Sequence, residues 1–191
     1  MILMDELEIE KIIAASIEGD DDRFSDLIGF YLKPVFNFVY RLCGNAKDAE
    51  DITQEVFVKL WKNLKKYKSE KNFKAWLFAI ARNTAIDRLR KRKNINFSEF
   101  EDQDGENSLL DSIADTAPWP DELVAKAENL RVVEELINKL PAIYREVIIL
   151  RYKDQFTFEE IGKIIKRPEN TVKSQHKRAL AIFKKLLDAT N

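Results

Sequence analysis

Apolar residues recur every three or four positions along most of this chain, and polar intervals separate the runs. Phe24, Leu27, Ile28, Tyr31, Val35, Phe38, Val39 and Leu42 share one helical face. Pro34 lies inside that run and predicts a kink or a split near Lys33, because it removes an amide donor and restricts the residue before it. Gly44-Asn45 closes the pattern. Asn45 can cap the next helix, with Asp48 in its first turn, where the helix dipole favours an anion. That helix is predicted over residues 46–66. Ile52, Val56, Leu60 and Leu64 form its apolar stripe, Phe57 and Trp61 widen it, and Asp48, Asp51, Gln54, Glu55 and Val58 lie to the other sides. A polar segment, residues 67–72, precedes a third helix. Phe73, Trp76, Leu77, Ile80 and Thr84 mark one of its faces, Asn83, Asp87 and Arg90 another, and it ends in Arg90-Lys91-Arg92-Lys93.

Beyond Lys93 the periodicity stops. Residues 94–122 carry acids, Asn, Ser, Gly105, Pro118 and Pro120, which reads as a linker. Its Phe97, Phe100, Leu109, Leu110, Ile113 and Trp119 are too apolar for a passive spacer, so parts of it are expected to dock. Helical period returns over residues 123–138. A further helix is expected to open at Pro141 and run through Ile143, Val147, Ile148 and Leu150. Thr157-Phe158-Glu159-Glu160 has the form of a capping box, and Phe156 and Ile161 stand where a hydrophobic staple would clamp the entry. The short helix that follows ends near Ile165. Pro168 then opens a last helix that turns Val172, His176, Ala179, Phe183 and Leu186 or Leu187 inward. No β-strand pattern and no internal repeat is present. The expected fold is all-α: two small helical domains, residues 1–93 and 123–191, joined by an acidic linker, residues 94–122.

Composition supports this and adds a charge pattern. Of 191 residues, 45% are hydrophobic, enough for real cores, and only five Gly and five Pro argue against turn-dense β architecture. The net charge of −1 does not point to nucleic acid, but its distribution does. Residues 82–93 hold six Lys/Arg against one acid, and residues 163–185 hold eight against one. Between them, residues 94–125 hold nine acids and no Lys or Arg. One cysteine, Cys43, and one histidine, His176, exclude an internal disulfide, a Cys/His metal site and nearly all catalytic triads. Residues 1–11 are acidic and too short in apolar run for a signal peptide, and no stretch approaches the roughly 20 apolar residues of a membrane span. These features lead us to expect a cytoplasmic protein with no cofactor, no bound metal and no enzymatic activity.

Three segments carry candidate chemistry. Residues 157–187 combine a short capped helix, a tight turn and a basic amphipathic helix, the form of a helix-turn-helix. The start of the last helix offers Thr171, Lys173, Ser174, Gln175, Lys177 and Arg178, residue types that read base edges in a major groove. An ordinary basic surface helix would show the same charge. Residues 73–93 place aromatics beside cations, which suits unpaired bases that stack. Phe73, Trp76 and Leu77 at this spacing equally suit a core. The helix around Asp48 to Trp61 has a carboxylate-edged aromatic face that could dock on a basic partner, and a solvated face is the plainer reading.

Two stretches of this chain resemble the extracytoplasmic-function sigma factors of bacterial RNA polymerase. Residues 24–93 are similar to region 2 of that family, through Asp48-Ala49-Glu50-Asp51-Ile52-Thr53-Gln54-Glu55-Val56-Phe57, Leu60-Trp61, Phe73-Lys74-Ala75-Trp76-Leu77 and Ile80-Ala81-Arg82-Asn83. Residues 136–187 are similar to region 4, through Leu140-Pro141, Phe158-Glu159-Glu160-Ile161-Gly162, Thr171-Val172-Lys173-Ser174 and Arg178-Ala179-Leu180. The resemblance implies an initiation factor that binds core polymerase and directs promoter recognition and melting. It implies polymerase binding by Asp48, Asp51, Gln54, Glu55, Phe57 and Trp61. It implies capture of the unpaired −10 element by Tyr67, Lys71, Phe73, Trp76, Asn83, Asp87 and Arg90, with Arg82, Arg88, Lys91 and Arg92 on phosphates. The last helix, through Thr171, Lys173, Ser174, Gln175, Lys177 and Arg178, would read the duplex −35 element, and an anti-sigma protein would mask the free form. Gln175 and His176 depart from the arginine and the aliphatic residue common in the family. Three rivals stay open on the residues alone: a stand-alone repressor or activator, a metal-dependent nuclease, and a pure interaction protein.

Overall fold

The structure, a computed structural model, describes residues 6–68, 72–93 and 130–189, with side chains over 8–68, 72–91 and 133–189. The chain divides into two compact units, Met1–Asn94 and Ile95–Asn191. All regular elements among the described residues are helical.

The first unit contains α1 (Glu6–Glu18), α2 (Asp21–Cys43), α3 (Ala46–Asn63) with a 3-10 turn (Leu64–Lys66), and α4 (Phe73–Lys93). Acids in α1 mask a stripe at Ile12, Ile13 and Ser16, all buried, that gives no clear helical period in the sequence. The Ser16 hydroxyl is satisfied internally, donating to the Ile12 carbonyl at 2.7 Å. Asp20 caps α2 by accepting from the Arg23 amide, and Gly44 ends it at φ 69°, a left-handed conformation that glycine adopts without penalty. Pro34 does not split α2, contrary to one of the two expected outcomes: the helix runs unbroken through it. The lost amide donor costs helix stability, but Tyr31, Val35, Phe38 and Val39 on either side are all buried, and that burial outweighs the loss.

Asn45 caps α3 as expected, its side-chain oxygen accepting from the Asp48 amide at 3.0 Å. α3 ends at Asn63 rather than residue 66, because the chain tightens into the 3-10 turn that buries Leu64. Phe38 and Phe78 sit fully buried at the centre, rings 5.1 Å apart and tilted by 45°. Around them Val35, Val56, Leu60, Leu77, Ala81 and Ala85 are also fully buried. The core face of α4 is therefore Phe73, Leu77, Phe78, Ala81, Thr84 and Ala85, whereas Trp76 and Ile80 are only half-buried.

The second unit contains α5 (Leu130–Lys139), α6 (Ala142–Ile148), a π-helical turn (Ile149–Lys153), α7 (Phe158–Ile165) and α8 (Glu169–Asp188). The helix expected over 123–138 is described from Leu130. Its first seven residues, and the linker's expected docking, lie outside the described residues. Pro141 and Pro168 each stand one position before their helices, where no amide donor is needed, instead of inside them. Val133, Leu136, Leu140 and Ile148 pack with Ala179, Phe183 and Leu187 of α8. The capping box of α7 is complete: Thr157 Oγ1 accepts from the Glu160 amide, and Glu160 accepts from the Thr157 amide at 2.8 Å. Phe156 and Ile161, the expected staple, are both buried.

Candidate functional site

The helix-turn-helix is set by a close approach of backbone to backbone. A β-carbon on Gly162 would stand 2.7 Å from the Arg167 carbonyl oxygen, so only glycine lets the corner between α7 and α8 close. Lys166 ends α7 in the left-handed region at φ 58°, its amide donating to the Gly162 carbonyl. From that corner α8 exposes Lys173, Ser174 and Lys177, with Thr171 and Arg178 half-buried beside them. Lys173 pairs with Glu169 at 2.8 Å, and Lys163 with Glu159 at 2.7 Å. The Lys163 hydrogen bond holds the Glu159 carboxyl below its ordinary range and its own ammonium above it.

Gln175 corrects the sequence reading. Expected on the exposed, base-reading face, it is 1% exposed. It sits between Val172 and Ala179 at spacings of three and four, which puts it on the buried stripe whatever its polarity. His176, expected inward, is half-buried. Its Nε2 lies 2.7 Å from the Tyr152 hydroxyl, and its ring forms a T-shaped pair with Phe158, centroids 5.0 Å apart.

In the first unit, α3 presents Asp51 and Gln54 in the open, with Asp48 and Glu55 half-buried. Trp61 is 44% exposed, one side of its ring held by Phe24 at 4.6 Å, and Val58 is 51% exposed. Val58 has no role in the sequence reading. Its spacing from Asp51, Gln54 and Trp61 makes it the apolar centre of an acid-edged patch. Phe57, by contrast, is 7% exposed and belongs to the core, so it contributes support to this face and little contact surface.

The aromatic group near the start of α4 is real and layered. Phe73 and Tyr31 are buried, rings 5.5 Å apart, and form a floor. Tyr67 and Trp76 stand half-buried above it, 5.3 Å from each other, with Tyr67 edge-on to Phe73 at 5.2 Å. Burial, and then the charge of Glu10, push the Tyr67 phenol up. Further along α4, Asn83 is half-buried while Asp87, Arg90 and Lys91 are exposed, and Arg82 is half-buried. Arg88 faces elsewhere. It lies 3.5 Å from Asp51 and 3.9 Å from Glu55, joining the expected DNA side of α4 to the expected polymerase side of α3. Lys59 completes the link, 2.9 Å from Glu55 and donating to Thr84 Oγ1 at 3.1 Å. Its hydrogen bond is the chief cause that holds the Glu55 carboxyl low, with the charges of Lys59, Arg88 and Lys91 adding to it against burial. Lys71 and the side chain of Arg92 lie outside the described residues. No group of three or more His, Cys, Asp or Glu among the described residues could hold a metal ion, and no described helix is long and apolar enough to cross a membrane.

Residues 16–95 match sigma-70 region 2, and residues 130–182 match sigma-70 region 4. The ECF RNA polymerase sigma factor SigW of Bacillus subtilis is 35% identical over 185 residues, covering 96% of this chain and 99% of the relative. SigX of the same organism is 26% identical, covering 88% and 85%. Among solved structures, the sigma factor RpoE of Bartonella quintana, crystallised with the anti-sigma factor NepR, superposes with a TM-score of 0.62 at 27% identity, covering 88% of this chain and 98% of that one. CnrH, solved with the cytosolic domain of CnrY, shares the fold at a TM-score of 0.67 and 22% identity, covering 94% and 97%.

Proposed function

This chain belongs to the extracytoplasmic-function family of RNA polymerase sigma factors, and from that premise we propose how its surfaces divide the work of promoter recognition. It is an alternative sigma factor that directs transcription initiation. It acts as a binding factor, not a catalyst, and works in the cytoplasm. Residues 1–93 act as region 2, 94–122 as an acidic linker and 123–191 as region 4.

One observation carries the assignment of surfaces: the last helix of a glycine-closed helix-turn-helix exposes Lys173, Ser174 and Lys177 together on its first turns. These three, with Thr171 and Arg178 flanking, read the −35 element as duplex in the major groove. On α3 the patch of Asp51, Gln54, Val58 and Trp61, with Asp48 and Glu55 beside it, docks on core polymerase. Tyr67 and Trp76 stack on unpaired −10 bases over the floor made by Phe73. Asn83, Asp87 and Arg90 contact those bases, and Lys71, Arg82, Lys91 and Arg92 hold phosphates, while Arg88, paired with Asp51 and Glu55, ties this surface to α3. Capture of flipped bases stabilises the melted state, so binding energy alone drives opening. By likeness to the RpoE complex with NepR, an anti-sigma protein masks these surfaces when the factor is idle.

Run-off transcription tests the reading. Core polymerase plus the purified chain, followed by genome-wide mapping of start sites, is expected to yield a discrete promoter set sharing upstream and −10 elements. Core polymerase that initiates at no site in the presence of this chain, with no inhibitor added, would refute it. DNA binding without any polymerase requirement would favour the repressor.

A further inference from the structure

Four side chains from three elements close a ring behind the exposed face of α8. The π-helical turn supplies Arg151 and Tyr152, the start of α7 supplies Phe158, and α8 supplies His176. The Arg151 guanidinium lies over the Phe158 ring, 4.9 Å from its centroid, while its Nη1 donates to the Phe156 carbonyl at 2.9 Å. Phe158 forms a T-shaped pair with the His176 ring, centroids 5.0 Å apart. The Tyr152 hydroxyl and His176 Nε2 complete the circuit at 2.7 Å. A phenol both donates and accepts, so this bond forms with either neutral tautomer of the imidazole. It joins positions 24 residues apart.

Its location bears on sequence reading. His176 follows the buried Gln175 and lies between the exposed Ser174 and Lys177. Val172, Ala179, Phe183 and Leu187 hold α8 on the core, and the 2.7 Å hydrogen bond adds a directional contact at the end that carries Lys173 and Ser174. Side chains reach about 5–6 Å from a helix axis, so a turn of about 20° would move the tips of Lys173 and Ser174 by roughly 2 Å, enough to break hydrogen bonds to a base edge. We propose that Tyr152 and His176 form a rotational lock on the recognition helix, acting as positioning residues that determine base discrimination without touching DNA. The lock rests on the reading of α8 as the −35 reader.

The test uses the full chain with core polymerase on promoters from the start-site map, each paired with versions altered at a single upstream base. Three variants are compared with wild type: Tyr152→Phe, His176→Leu and the two combined. Tyr152→Phe strands a half-buried imidazole nitrogen, and cognate-over-altered discrimination is expected to fall about fivefold, while affinity for non-promoter duplex stays the same. The double variant leaves no polar group unpaired and seats an aliphatic side chain against Phe158, so it is expected to recover most of the discrimination. Unchanged discrimination in Tyr152→Phe would overturn the lock. So would a loss matched by an equal loss on non-promoter DNA, or a double variant no better than the single. Should Tyr152→Phe prove unfolded by circular dichroism, His176→Leu is judged by the same two ratios. Wild-type protein that ignores its own upstream element would remove the parent reading as well, and that failure shows before any variant is compared.

Discussion

His176 holds a neutral imidazole at physiological pH, because burial, and secondarily the charge of Arg151, push its pKa down from 6.5 to about 4. The unfolded chain takes up a proton near pH 6.5 that the folded chain refuses until about 4. The associated stability is fully present above pH 6.5 and declines as pH falls through that value towards 4. The melting temperature of the wild type is therefore expected to drop more than that of His176→Leu between about pH 7.5 and about pH 5. Parallel curves would show that the imidazole is not the titrating group. The inward direction of His176 was legible from its place in a stripe with Val172, Ala179 and Phe183. Gln175 is buried despite its polarity, because its spacing from Val172 and Ala179 puts it on the same stripe. Phe57 and Phe73 fit a core by their spacing and take partner roles only from the family resemblance. The structure buries both.

At the scale of helices, α3 and α4 are joined by two kinds of contact of unequal strength. The pairs of Arg88 with Asp51 and Glu55 are 40–47% exposed, and pairs so placed are worth about 0–1 kcal/mol. Leu60 is fully buried, and truncating such a leucine costs about 2–5 kcal/mol. Urea denaturation is expected to rank the variants accordingly, with Arg88→Ala losing under about 1 kcal/mol and Leu60→Ala several times more. A larger loss for Arg88→Ala would mean that charge, not packing, joins these helices. The helices themselves were largely legible. The period of α2 named its six buried residues, and the caps at Asn45 and Thr157 were visible as short motifs. What escaped was set by tertiary context. Burial carries α2 through Pro34, α1 hides its stripe among acids, and no sequence signal we used distinguishes the π-helical turn after Ile148 from ordinary helix.

For the whole molecule, the net charge of −1 conceals the property that matters to DNA. Six cationic residues in 82–93 and eight in 163–185 are offset by acids placed elsewhere. Binding of the chain with core polymerase to promoter duplex is thus expected to weaken steeply with salt. Arg82→Ala and Lys91→Ala should each flatten the slope of log affinity against log salt by about 1. An unchanged slope in both would place the phosphate contacts on other residues. The division into two units was visible in these charge breaks, and both units appear in the structure with cores of their own. Gly162 adds a consequence that reaches to heredity. Any single-nucleotide change that alters the residue encoded by a glycine codon brings in a β-carbon or a stop, and at this corner a β-carbon would stand 2.7 Å from the Arg167 oxygen. Missense drift therefore has no permissive neighbour there, and a saturation library selected for promoter activity should return the parental amino acid almost alone at this codon.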